Sequence, residues 1–293
     1  MRTTLICGTS LAVALLAAGC SSSPGPGQAA TPSGGCGIEA PSGLVAKGYL
    51  TYGTSLTMPP QVTQKNGKPS GSDIEIAQAI AQEMCLQPKF TNYDFQGILP
   101  AVNAKKVDAG VATFGITPER QKAFDFVPYF IGGQAMLAKK DKHLKVSGIE
   151  GVCGHTFAVL SGSVELANLK TAAPKCPGGK SVHYSVYPSM PEIIQQLLKG
   201  SQDLAYVDWT AAAEAVKKMP DQLALASGIF SGRGASTPPN IEGIAVRKGD
   251  DQMKTALSRA FKSVVKDGTY MSILKKYGLE RGDVRKRVSL EKS

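Results

Sequence analysis

Apolar and polar positions along this chain fall into short strand-like runs that alternate with helical patterns. Tyr49–Thr54 reads as a strand. Ser72–Met84 reads as a helix, because Ile76, Ile80 and Met84 recur every four residues with Ala77 and Ala81 beside them. Ser72 and Glu75 stand at capping-box spacing at its start. Lys89–Tyr93 predicts a strand, Gly97–Lys105 a helix, Val107–Thr113 a strand, Ala135–Lys139 another, and Lys140–Lys145 a polar surface turn. A second series follows: Thr156–Leu160, Val164–Lys170, Val182–Val186, Pro191–Lys199, Leu204–Val207 and Thr210–Lys218. Gly243–Arg247 is a last strand, closed by helices over Asp251–Val265 and Met271–Tyr277. Such alternation predicts an α/β fold with parallel sheets, helices on both faces, and a ligand at the carboxyl ends of the strands.

Three of those strand ends carry candidate chemistry. After the strand ending at Thr113, Thr117 is placed to cap a helix whose first position is Pro118, and Arg120 falls in its first turn. A cation there suits a bound anion. Solvation, or pairing with Glu119 or Asp125, is the plainer use of the same residue. Leu160-Ser161-Gly162-Ser163-Val164 is a strand, a Gly turn and a helix start, with free N–H groups and the Ser163 hydroxyl as donors. Leu204–Val207 ends in the carboxylate Asp208. Ser163 and Asp208 could each serve only as helix caps. Taken together, an Arg, two helix starts and a carboxylate complement a zwitterion such as an α-amino acid.

The chain has 293 residues and a formal charge of +10. That length supports a large core and two lobes. The basic residues are dispersed and no nucleic-acid module is present, so nucleic acid is not an expected partner. Only Arg281–Lys292 is dense in charge, and it reads as a solvated tail. At the N-terminus, Arg2, the apolar run Leu11–Ala18 and the small residues before Cys20 read as an export signal over residues 1–19. Ala17-Ala18-Gly19-Cys20 resembles the lipobox of bacterial lipoproteins, with Ala17 where Leu is usual. The expected product is a chain lipidated at Cys20, with a flexible Ser/Gly/Pro-rich tether over residues 20–36. Removing residues 1–19 takes away one basic residue, Arg2, and leaves +9.

Cys36, Cys85, Cys153 and Cys176 remain once Cys7 and Cys20 are set aside. Four cysteines in an exported chain suggest two disulfides, with three possible connectivities. Cys153 and Cys176 precede two apolar runs that could lie side by side, which favours Cys153–Cys176 and leaves Cys36–Cys85. His143, His155 and His183 form no ligand-spaced cluster with them, so neither a metal nor a cofactor is expected.

Several motifs in order resemble family 3 solute-binding proteins of ABC transporters, the polar amino-acid binders, over residues 42 to 280. They are GSDIEIAQAIAQ (Gly71–Gln82), YDFQGILP (Tyr93–Pro100), KKVDAGVATFGITPERQKAFDFVPY (Lys105–Tyr129), VLSGSV (Val159–Val164), GIAVRKGD (Gly243–Asp250) and GTYMSILKKY (Gly268–Tyr277). The resemblance implies a type II periplasmic binding protein-like fold, two α/β lobes joined by two crossover strands. The crossovers are expected near Gly133–Met136 and Ser231–Ala235, giving lobe 1 as residues 37–133 with 235–293 and lobe 2 as residues 134–234. It further implies that Arg120 forks onto a ligand α-carboxylate, with Thr113 and the backbone of Gly115 lining the same site. The Ser163–Val164 turn would reach that carboxylate from the other lobe, Asp208 would receive the α-ammonium, and Phe95 would pack on the ligand side chain.

The resemblance also implies a membrane permease and an ATPase as partners, with the receptor a monomer held extracytoplasmically by its lipid. Three positions depart from the family pattern. Met58 stands where an aromatic is expected. Ser55 stands where some binders of basic amino acids carry an acid, which disfavours lysine or arginine. Gly115 stands where a Ser is common. Other readings on the same fold are a cyclohexadienyl dehydratase-like enzyme, for which Asp208 is the candidate acid or base held charged by ion pairing, and a receptor for an opine or ectoine. A sensor module is not expected, since no transmembrane-length segment follows the last motif.

Overall fold

The computed structural model describes residues 36–231 and 240–288. The export signal, Cys20, the tether up to residue 35, the crossover from residue 232 onward and the tail from residue 289 lie outside the described residues.

The chain begins with β1 (Tyr49–Thr54), a short hairpin of β2 (Thr63–Lys65) and β3 (Lys68–Ser70), and α1 (Ser72–Glu83). Next come β4 (Gln87–Asn92), α2 (Phe95–Asn103), β5 (Ala109–Gly110), the single turn α3 (Pro118–Gln121) and β6 (Phe124–Ile131). Then follow β7 (Gln134–Lys139), β8 (Thr156–Leu160), α4 (Val164–Ala172), β9 (His183–Tyr187), α5 (Met190–Lys199), β10 (Leu204–Asp208), α6 (Trp209–Lys218) and β11 (Leu223–Leu225). β12 (Ile241–Arg247), α7 (Asp251–Lys266) and α8 (Thr269–Tyr277) complete the elements.

Two five-stranded sheets result, ordered β4-β1-β5-β12-β6 and β11-β7-β10-β8-β9. Consecutive strands β6 and β7 belong to different sheets, so the chain passes from one sheet to the other at Gly132–Gly133. The prediction of parallel sheets needs correction. β1 runs parallel to β4 and β5, and β8 parallel to β9 and β10, but β12 is antiparallel to β5 and β6, and β7 antiparallel to β10 and β11. The two antiparallel strands of this kind, β7 and β12, are those that enter a sheet after a passage from the other lobe. A crossover helix, which enforces parallel pairing, is absent from the β6–β7 passage.

Burial follows from this layering. Five consecutive residues of β1, Leu50 to Thr54, are buried, because helices cover both faces of a central strand. The face periodicity of α7 puts Met253, Leu257, Ala260, Phe261 and Val264 inside. Two local predictions fail. Ser72 is the first residue inside α1 with Gly71 at the cap, and Glu75 instead takes hydrogen bonds from Lys276 and Tyr277, so no capping box forms. The strand expected over Val107–Thr113 is regular only at Ala109–Gly110. Its end is bent out because Thr113 adopts a left-handed φ of 49°. The basic tail is also less solvated than expected: Val284 is fully buried and its N–H donates to Tyr270 Oη at 3.0 Å.

The favoured disulfide pairing is present. Cys36 and Cys85 are joined with Cα atoms 5.6 Å apart, and Cys153 and Cys176 at 5.5 Å. The second bond ties the segments that lead into β8 and β9, which do pair in parallel.

Candidate functional site

Arg120 owes its position to local sequence. Thr117 Oγ1 accepts from the Arg120 N–H at 3.2 Å and starts the one-turn helix α3. Neither of the carboxylates close in sequence holds it, since Glu119 pairs with Lys122 and Asp125 with Lys248. The side chain turns inward instead. Its Nη1 donates to the Gly115 carbonyl at 2.8 Å and its Nη2 to the Gly162 carbonyl at 3.0 Å. The guanidinium lies 5.8 Å from the Phe95 ring centroid and 5.5 Å from that of Phe114, within cation–π range. Burial lowers its pKa to about 10, with the charge of Glu165 acting the other way.

The second sheet brings its own set. Ser163 Oγ accepts from the Leu166 N–H at 3.1 Å and caps α4. Asp208 Oδ1 accepts from the Thr210 N–H at 3.4 Å and caps α6. The plainer role is therefore real for both residues, and both also line the cavity between the sheets. Gly162 has a φ of +73°, and a Cβ there would lie 2.9 Å from Gln96 Cβ of α2. Ser161 Oγ donates to Gln96 Oε1 at 2.5 Å. This strand end thus presses directly onto the opposite lobe.

Arg120, Asp208, Thr113, Gly115, Ser163, Val164, Phe95 and Met58 all line one cavity of about 20 Å³, room for about one water. Ser55 does not. It is buried with its Oγ 3.3 Å from Thr57 Oγ1. Met58 accepts a weak contact from Thr113 Oγ1 at 3.9 Å. Phe95 is 5% exposed and packs on Phe114 with centroids 4.9 Å apart, so it is both a core residue and a wall.

Sequence reasoning missed four carboxyl or amide groups here. Glu165, Glu242 and Asn240 line the cavity, and Gln61 sits behind it. Gln61 Nε2 donates to Asp73 Oδ1 at 3.2 Å and to Glu242 Oε2 at 2.9 Å, while its Oε1 accepts from Thr210 Oγ1 at 2.5 Å. One amide thereby joins the two lobes. Asp73 Oδ2 accepts from the Thr113 N–H at 3.1 Å and from Tyr129 Oη at 2.5 Å, holding the left-handed turn of Thr113 in place. A signal was available for Glu242, an acid inside the apolar run Ile241 to Val246. Glu165 was hidden by its first-turn position, where an acid is ordinary.

The electrostatics reverse one expectation. Asp208 was expected to be held charged by ion pairing. Burial first, and the charge of Glu165 second, push its pKa up to about 8. Burial likewise raises Asp73 to about 6, against hydrogen bonds from Tyr129 and Thr113. Glu242 is driven well above the carboxylate range by burial and by Asp208 and Asp73, and Glu165 is raised by burial. A site with one buried cation and several buried acids favours a ligand that brings both a carboxylate and an ammonium group.

Fold and site together define a two-lobed solute-binding protein of the type II periplasmic class. The chain belongs to the bacterial extracellular solute-binding proteins, family 3, whose profile matches residues 50–280. It is 29% identical over 233 residues to the L-cystine-binding protein TcyJ of Escherichia coli (strain K12), covering 79% of this chain and 83% of that one. An ancestral arginine-binding protein bound to arginine superposes with a TM-score of 0.71 at 33% identity, covering 79% of this chain and 98% of the other. The ancestral amino acid-binding protein AncCDT-1, a precursor of cyclohexadienyl dehydratase, superposes with a TM-score of 0.68 at 28% identity, covering 79% and 96%.

Proposed function

We propose that this protein captures an α-amino acid between its lobes and delivers it to the permease and ATPase of an ABC importer. The observation that carries this reading is the convergence of half-buried Arg120 and half-buried Asp208, from different lobes, on one cavity. Arg120 forks onto the α-carboxylate, Asp208 receives the α-ammonium, and the Ser163–Val164 turn, Thr113, Gly115, Phe95 and Met58 complete the walls. Relatives named for cystine and arginine support the ligand class. A cavity of about 20 Å³ is too small for an amino acid, so the lobes part to admit it and shut on it. The moving bodies are residues 37–133 with 235–293, and residues 134–234. Residues 1–19 direct export, and lipid on Cys20 holds the monomeric receptor at the membrane through the tether of residues 20–36.

A thermal-shift panel of the proteinogenic amino acids and L-cystine tests this. At least one should raise the melting point by several degrees at about a hundredfold excess over its Kd. No shift with any of them would overturn the reading.

A second reading, an elimination enzyme on the same fold, draws on the raised pKa of Asp208 and Glu242 and on the likeness to AncCDT-1. An assay of prephenate and arogenate decides between them, and we expect no turnover of either.

A further inference from the structure

Glu242 is 1% exposed, and its two carboxylate oxygens are treated differently. Oε2 accepts from Gln61 Nε2, whereas Oε1 is buried with no hydrogen-bond partner among the described residues. A buried carboxylate oxygen without a donor is costly and calls for an explanation. Space for this side chain is made by Gly132 at the passage between the lobes, where a Cβ would lie 2.3 Å from Oε1. The Glu242 backbone is bridged to Gly115, the position where the family pattern has a hydroxyl and this chain has none. The Asp208 carboxyl, from the other sheet, lines the same cavity as Glu242.

The groups facing this acid pair leave few alternatives. Asp208 from β10 and Asp73 from α1 act on Glu242, which itself acts on Tyr129 from β6 and Tyr270 from α8, and Glu165 from α4 acts on Asp208. Arg120 is the cation lining the same cavity, and two of its five N–H donors go to the Gly115 and Gly162 carbonyls rather than to either acid. Among the described residues no group of three or more His, Cys, Asp or Glu is arranged to hold a metal ion. Two carboxyls that line one cavity with room for about one water are favoured by a donor between them, either a proton or an N–H group.

We propose that Glu242 is a second ligand-facing carboxylate, which with Asp208 grips the ammonium group of the ligand from both lobes, and that in the shut form without ligand a single proton holds the same place. This rests on the amino-acid reading and adds a residue and a proton to it. The exchange involves no change at carbon. The ammonium enters with its own N–H donors, and the shared proton leaves to solvent. Raised pKa values of both acids agree with a proton held near neutrality. Ligand and proton therefore compete, so acid weakens binding and rising pH strengthens it until the pair is ionised without ligand.

The test is titration calorimetry on the whole chain with the tightest-binding amino acid of the panel, at about pH 6, 7 and 8 and in two buffers of different ionisation enthalpy. The expected result is a Kd at least about fivefold weaker at pH 6 than at pH 8, with buffer-dependent heat reporting net proton release on binding. Glu242→Gln should weaken binding by about tenfold or more and flatten the pH profile, because a Gln amide donates to Asp208 without a proton. Gln61→Met, which removes only the bridging amide, should keep the pH slope. A Kd that varies by less than about twofold across this range with equal heats in both buffers overturns the proposal, whether or not Glu242→Gln folds. Equal affinity and slope in Glu242→Gln overturns it as well. Failure of every amino acid to bind overturns the amino-acid reading itself, an outcome distinct from binding without proton release.

Discussion

Arg120 and Gly162 belong to different lobes, yet Arg120 Nη2 donates to the Gly162 carbonyl at 3.0 Å. One side chain therefore lines the cavity and ties the two sheets together across it. Its other arm, on the Gly115 carbonyl, stays within the first lobe. If the lobes part as proposed, the first bond would break and the second, within one lobe, would remain.

Replacing Arg120 by Ala removes the only cation lining the cavity among the described residues. Loss of a buried charged partner costs about 3–5 kcal/mol, or at least a hundredfold in Kd. Calorimetry with the ligand of the wild-type chain checks this, and the melting point without ligand should stay within a few degrees. Affinity within threefold of wild type would remove Arg120 from the site.

Gly162→Ala tests closure separately from contact. The left-handed φ of +73° and the 2.9 Å approach to Gln96 both oppose a Cβ. The expected outcome is at least about a tenfold loss of affinity, since the conflict with Gln96 exists only in the shut form. Small-angle scattering should show a smaller contraction on adding ligand than in wild type. A wild-type contraction would show that the turn accommodates the methyl.

Stability without ligand should fall as pH rises. Asp73 and Asp208 have folded pKa values raised to about 6 and about 8. The folded chain then binds more protons than the unfolded one between the ordinary carboxylate range near 4 and those values, so the slope of stability with pH is negative there. Melting points in ligand-free scans should drop by several degrees between about pH 5 and about pH 8. Asp208→Asn should flatten the upper part of this decline, and a melting point that rises over the same range would contradict it.

The double substitution of Cys153 and Cys176 by Ser opens a link with a sequence separation of 23. On the chain-entropy model it costs about 3 kcal/mol, or roughly a 5 °C lower melting point for a chain of this size. Ligand affinity at 25 °C should hold, because neither Cys lines the cavity. A tenfold affinity loss would tie this disulfide to the site.

Much of the fold was legible because local signals agreed with it. β8 and β10 carry continuous apolar runs, and the helical periodicity behind α5, α6 and α7 is strong enough to fix their faces. Caps at Thr117, Ser163 and Asp208 were readable because a cap depends on residues three or four apart. The short polar hairpin of β2 and β3 and the three-residue β11 were missed, since so few residues carry no period. Strand direction was missed too, because side-chain alternation is the same in parallel and antiparallel ladders.

By itself, then, the sequence determined the alternation of elements, the disulfide partners and the one cation and one carboxylate at the strand ends. Tertiary structure alone decided that Ser55 turns away, that Glu165 and Glu242 turn in, and that Gln61 spans both lobes. The reason is the range of the forces involved. Capping and periodicity act within a turn or two of chain, whereas the protonation of Asp208 is set first by burial and second by Glu165, which stands far from it in sequence and reaches it only in the folded chain.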